Sequence, residues 1–263
     1  MTESRNIQQR KKFEILLLGD NCIDIYQYGY VDRISPEAPV PVFRLDKEES
    51  RPGMAGNVRA NLIQLGCNVN FIHGNTSTKT RLIDIRSKQH IVRIDNDILS
   101  ESINPLIAYL YDAIVISDYN KGTISLNLIK EIRQYFDGPI FVDTKKTDLK
   151  ELQGCIVKIN ALEYSLLKSE CDNLIVTMGS AGARYKDKIY PSLPLEVVDT
   201  CGAGDTFLSA LCFGYLSNND IIEAIKFANK AAAITVQHSG VYSPSLEEIC
   251  DFQEWCPKVG DMN

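Results

Sequence analysis

The chain has 263 residues, 44% of them hydrophobic and 24% charged, with a net charge of −6. That length supports one large core, and the acidic balance excludes a general nucleic-acid or anionic-membrane surface while leaving room for a local basic pocket. The first dozen residues are polar and lead into an apolar run too short for a secretory core or a membrane span, so the cytoplasm is the expected compartment. Eight cysteines, none in CxxC spacing, stand beside only three histidines. They read as small core residues rather than zinc ligands.

The elements alternate strand and helix. "FEILLLG" (13–19) reads as a buried strand, and 54–65 as a helix stopped by Gly66. "AIVIS" (113–117) is a strand, followed by a helix over 125–136 with Ser125 as N-cap. "PIFVD" (139–143) and "CIVKIN" (155–160) are strands, the second followed by a short helix over 161–168. "NLIVTMG" (173–179) is a strand, "ARYKDKIYP" a hairpin, and "LEVVD" (195–199) a further strand. A helix follows it, and another over 220–237 opens on the capping-box-like pair Asp220 and Glu223. This rhythm implies an α/β fold with a mostly parallel sheet covered by helices on both faces. Residues 26–50 and 76–97 break the rhythm with short alternating strands. They read either as a small lid sheet standing apart or as an extension of the main sheet's edge. The chain is otherwise taken as one domain, 1–263.

Polar residues gather where strands end, the side of an α/β sheet on which ligands bind. They include Asp24, Asp118, Lys121, Asp143, Lys145, Asn160, Glu163, Thr177, Gly179, Asp199 and Asp205. In "VVDTCGAGDTFLSAL" (197–211) two glycines open a helix, an arrangement whose N–H groups form an anion hole. Neither a Walker loop nor a dinucleotide fingerprint fits. A carboxylate in such a seat suits a phosphoryl group in transit, with Asp205 accepting the proton of the attacking hydroxyl. It equally suits a first-turn acid drawn by the helix dipole. The turn alone leaves both readings open.

"DTCGAGDTF" resembles the D-T-x-G-A-G-D signature of the PfkB carbohydrate kinase family, with its ribokinase-like three-layer α/β/α fold and small β lid. Residues 17–66, with "RISPEAPVPV" and "RPGMAGNV", resemble the subgroup that phosphorylates C1 of D-glycero-β-D-manno-heptose 7-phosphate. "SDYNKG" (117–122), "VDTKKTD" (142–148) and "FANKAAAITV" (227–236) continue the likeness. The resemblance implies ATP and Mg2+ as cofactors, a sugar or sugar phosphate as substrate, no nucleic-acid or membrane partner, and a homodimer through the lid strands. It implies Asp205 as catalytic base and Gly202, Ala203 and Gly204 as its anion hole. It places Asp24, Gly53 and Asn57 on the sugar, with Lys145, Arg81 and Lys121 as candidates for a remote phosphate. "NALE" resembles N-x-x-E, so Asn160 and Glu163 are expected at the phosphates, Glu163 ordering the metal through water. "TMGSAG" resembles T-x-G-x-x-G, so Thr177, Gly179 and Gly182 are expected in the nucleotide pocket, with Asn229 beside the adenine. Against the subgroup pattern, Met54 stands where a second glycine is usual. The region around 73–80 is also short, as though one βα unit were missing from the sheet edge. Two alternatives stand beside this reading: a kinase of another sugar or nucleoside, and an inactive sugar or nucleotide binder.

Overall fold

A computed structural model describes residues 12–103 and 110–251. Ten strands form a single sheet in the order β10-β9-β8-β7-β6-β5-β1-β3-β4, with β2 paired to β1. The parallel heart comprises β1 (Glu14–Ile34), β3 (Asn68–Asp84), β5 (Ala113–Asp118), β6 (Ile140–Thr144), β7 (Ile156–Asn160) and β8 (Asn173–Thr177). The hairpin of β9 (Ala183–Tyr185) and β10 (Lys188–Tyr190) closes one edge antiparallel, as its sequence suggests.

Side chains alternate across this sheet, so its apolar runs feed two cores. Ile15, Leu17, Val115 and Phe141 face α1 (Ala55–Gln64), α4 (Ala203–Asn218) and α5 (Ile221–Thr235). Leu16, Leu18, Ile114, Ile116 and Val142 face the opposite way, onto α2 (Leu126–Tyr135). Ser125 caps α2, its Oγ accepting from Leu128 N–H at 3.1 Å, and Asp220 caps α5. A short α3 (Ala161–Ser165) follows β7, and α6 (Leu246–Asp251) ends the described chain. Among the described residues no helix is long and apolar enough to cross a membrane.

The two readings of 26–50 and 76–97 resolve into one structure. β1 and β3 are long strands of 21 and 17 residues that leave the core and keep pairing beyond it. Their outer halves, flanked by β2 (Pro41–Met54) and β4 (His90–Asn96), are the lid, so it is continuous with the main sheet. Parallel β1–β3 pairing makes it mixed rather than purely antiparallel. A register shift between Gly19 and Asn21 marks where β1 passes from core to lid. From β3 the chain turns directly into β4, which pairs with β3 only from Thr78 onward. β3 itself runs unbroken through 73–80, so no helix or further strand is inserted at that point.

One expected strand does not form. "LEVVD" has strand-like composition, yet 191–198 carries no ladder, and Val198 is 62% exposed. The Val198 and Asp199 N–H groups instead donate to the Val236 carbonyl at 2.8 and 3.1 Å. The sheet edge is already occupied by the β9–β10 hairpin, so this segment lies along α5 and becomes a wall of a cleft.

Candidate active site

The turn before α4 is shaped by its neighbours. Gly202 is the N-cap in the left-handed region, φ 78°, and a Cβ there would lie 2.8 Å from Asn57 Nδ2. Only glycine meets both demands without strain. Asp199 ties the turn down, accepting from Cys201 N–H at 2.9 Å and Gly240 N–H at 2.8 Å. Gly202 provides no side-chain cap, Ala203 N–H donates to the Thr200 carbonyl at 3.3 Å, and Ala203 and Gly204 border the cleft at the positive end of the helix.

Asp205 stands in that first turn and is 6% exposed. Its Oδ2 accepts from Asn57 Nδ2 at 2.8 Å and its Oδ1 from the Tyr119 hydroxyl at 3.0 Å. Asn57 is itself fixed, since Asn61 Nδ2 donates to its carbonyl at 2.9 Å and Asn61 Oδ1 accepts from the Thr206 hydroxyl at 2.9 Å. The α1–α4 interface is therefore polar at this end and apolar further along, which orients Asn57 at the base. Burial pushes the Asp205 carboxyl up to about 6, while the bond from Asn57 pulls it down, Asp143 raises it, and Lys158 and Tyr119 lower it.

Lys158 was not singled out by any motif, whereas its partner Asp143 stands in "VDTKKTD" at the end of a strand. Lys158 lies in β7 at 3% exposure, with Nζ 2.7 Å from Asp143 Oδ2. A side chain on Gly204 would come within 2.9 Å of that Nζ. Burial pulls the Lys158 ammonium down, but Asp143, Asp205 and Glu163 outweigh it and hold it above the ordinary lysine range. A buried cation thus lies under the anion hole. The available signal was the lysine itself, a charged residue inside an otherwise apolar strand.

Asp24, expected at the sugar, is 6% exposed and pairs with Arg81 at 2.5 Å. Gly53 faces it so closely that a Cβ would sit 2.3 Å from Asp24 Oδ2. Arg81 and Arg51 lie on the Tyr26 ring at 5.2 and 5.3 Å from its centroid. Arg51 also bonds the carbonyls of Ser239 and Val241, joining the lid to the core beside the catalytic turn. Met54, at φ 51° and ψ −132°, takes a backbone conformation suited to glycine while its side chain is 5% exposed.

Lys145, Arg81 and Lys121, expected together around a remote phosphate, hold three different carboxylates. Lys145 pairs with Glu163 and lies 5.3 Å from the ring centroid of Tyr119, whose hydroxyl reaches Asp205. Lys121 pairs with Asp97 at 2.5 Å, and Arg81 remains with Asp24. Asn160 and Glu163 form a full capping box on α3, Asn160 N–H donating to Glu163 Oε2 at 2.7 Å.

Thr177, Gly179, Gly182 and Asn229 line one cleft together with Ala203 and Gly204. Its remaining walls are largely apolar, supplied by Leu193, Pro194 and the face of α5. Asn229 spends its amide on the Tyr190 carbonyl at 2.8 Å, holding the chain after β10 over the cleft. The expected nucleotide residues and the anion hole thus share one continuous space. Among the described residues no cluster of three or more acidic, histidine or cysteine side chains is arranged to hold a metal.

The profile of the pfkB family carbohydrate kinases matches residues 140–249. The chain is 32% identical to the bifunctional protein HldE of a Nitratiruptor species, over 92% of this chain and 65% of that protein. It is 34% identical to the HldE of Campylobacter curvus, over 91% and 64%. The chain therefore spans just under two thirds of the length of these curated relatives. The Nitratiruptor alignment runs over 303 residues although this chain has 263, so the relative carries stretches that are missing here. The fold is similar to the ribokinase of Thermotoga maritima, with TM-score 0.68 and 19% identity over 91% of this chain and 99% of that one. It is also similar to the Arabidopsis thaliana ribokinase complexed with ribose and ATP, with TM-score 0.71 and 15% identity over 92% and 98%. By signature and relatives this chain is similar to the pfkB family of carbohydrate kinases, and its fold is ribokinase-like.

Proposed function

We propose that the chain transfers the γ-phosphoryl group of ATP to a hydroxyl of a phosphorylated sugar, with Asp205 as general base. The observation that carries this reading is the placing of Asp205. It is a buried carboxylate raised to about 6, held at both oxygens, with the glycine turn beside it and a largely apolar cleft running up to that turn. A base of that strength is ionised at pH 7 and still accepts a proton in the transition state.

The acceptor lies between Asp24 and Asp205, its hydroxyls held by Asp24, Gly53 and Asn57. Its reacting hydroxyl gives its proton to Asp205 as the oxygen attacks in line. The charge that develops on the moving phosphoryl group meets the N–H groups of the Gly202–Gly204 turn and the Lys158 ammonium. Thr177, Gly179, Gly182 and Asn229 hold the nucleotide. Glu163 would hold Mg2+ through a water, and the ion would supply charge neutralisation at the phosphates. The two HldE relatives and the 17–66 motif support C1 of D-glycero-β-D-manno-heptose 7-phosphate as the acceptor site. The outer lid face supports a homodimer, because Ile23, Val92 and Ile94 share it at 40%, 46% and 55% exposure. Sedimentation tests that pairing, and a monomer at micromolar concentration refutes it.

A coupled ADP-release assay over sugars, sugar phosphates and nucleosides tests the function. Turnover with heptose 7-phosphate supports the reading. Turnover with another sugar moves the substrate, and folded protein inactive with all of them refutes the kinase.

A further inference from the structure

Tyr119 sits on the turn after β5, where its main-chain N–H donates to Asp20 Oδ2 at 2.7 Å. Lys121 N–H donates to the same oxygen at 3.1 Å. Asp20 is 1% exposed, and its Oδ1 has no hydrogen-bond partner among the described residues. Burying an acid in this way is costly, and what it secures is the path of this turn. From it the Tyr119 hydroxyl reaches Asp205 Oδ1, while Asn57 reaches Oδ2 from α1. Two donors from different elements, one on each oxygen, fix the rotation of the carboxylate and aim its remaining lone pairs in one direction.

We propose that Tyr119 is a positioning residue for the catalytic base: its hydroxyl sets the rotation of the Asp205 carboxylate and keeps it ionised for the incoming acceptor hydroxyl. This rests on the reading of Asp205 as base. The groups that act on Asp205 come from every element around it: Asn57 on α1, Tyr119 after β5, Asp143 on β6 and Lys158 on β7. Beyond them, Lys145 covers the Tyr119 ring, and Glu163 pairs with Lys145. Burial and the neighbouring carboxylates hold the Tyr119 phenol well above its ordinary value, so it donates throughout the working range.

Tyr119→Phe keeps the ring and its contact with Lys145 and removes only the hydroxyl. A hydrogen bond to a charged group is worth enough to move the acid limb of the kcat/KM profile upward by about one pH unit. The variant therefore loses roughly fivefold more in kcat/KM at pH 6 than at pH 8. A residue that merely supports the fold lowers activity alike at both values. 3-Fluorotyrosine at position 119, a stronger donor on the same ring, moves the limb downward and serves if the Phe variant does not fold. An unmoved limb in either protein, or a loss independent of pH, overturns the proposal. If Asp205→Asn itself changes kcat by less than a few-fold, it is the reading of the base that fails.

Discussion

Replacing Asp205 by Asn separates what this residue does for catalysis from what it costs the fold. The substitution conserves shape but removes a buried titrating group raised from 3.8 to about 6. With the folded-state value above the unfolded one, the native protein binds more protons than the unfolded chain between these limits. Stability from this group is then complete below about pH 4 and is lost as pH rises through 6. The full span corresponds to about 3 kcal/mol, of which about 2 kcal/mol falls between about pH 4.5 and pH 7.5. Asn avoids that loss, although one of its two neighbours, Asn57 or Tyr119, must then face an N–H instead of an oxygen. That mismatch does not depend on pH, so it cancels when each protein is compared with itself. Urea unfolding of both proteins at about pH 4.5, 5.5, 6.5 and 7.5 measures the difference. Relative to wild type, the variant should gain about 2 kcal/mol from the lowest to the highest pH while kcat drops by roughly 10²–10⁴. Parallel stability profiles would refute the burial of a titrating carboxylate. A kcat loss of only a few-fold would refute its role as base.

Gly53→Ala places a methyl where Asp24 Oδ2 lies at 2.3 Å, so the carboxylate must move. KM for the acceptor should rise by about tenfold or more while KM for ATP stays level, a split that initial-rate kinetics reads directly. Lys158→Met leaves Asp143 buried at 8% exposure without its cation. The expected loss is about 3–5 kcal/mol in urea unfolding, recovered in part by Lys158→Met with Asp143→Leu; no recovery would mean that the pair is not the cause. Met54→Gly relieves a strained φ of 51° but removes a buried side chain, so the two effects offset to within about 1.5 kcal/mol. A loss above about 3 kcal/mol would show the backbone there to be unstrained.

Much of this molecule is legible in one dimension. Apolar runs of five or six residues, separated by capped amphipathic helices, determine a parallel sheet with two cores, because burial on both faces demands side chains that are apolar at every position. Ser125 and Asp220 mark helix starts for the same local reason: a side-chain oxygen is needed by unpaired N–H groups. The glycine turn and its acid are likewise local, and so Asp205 stands out in the linear pattern, although the turn alone leaves its role open. Contacts across the chain are different. Nothing around Lys158, Tyr119 or Asp20 in sequence shows that β7, the β5 turn and β1 converge on one carboxylate. "LEVVD" has the composition of a strand, but the edge it needed was taken by a hairpin. Lys145 and Arg81 look alike as phosphate-seeking cations until the fold sets them against two different carboxylates, Glu163 and Asp24. Propensity, capping and turn chemistry act over a few residues and are therefore written in the sequence. Edge occupancy, burial of charge and the pKa of Asp205 depend on which distant segments meet, and only the tertiary structure decides that.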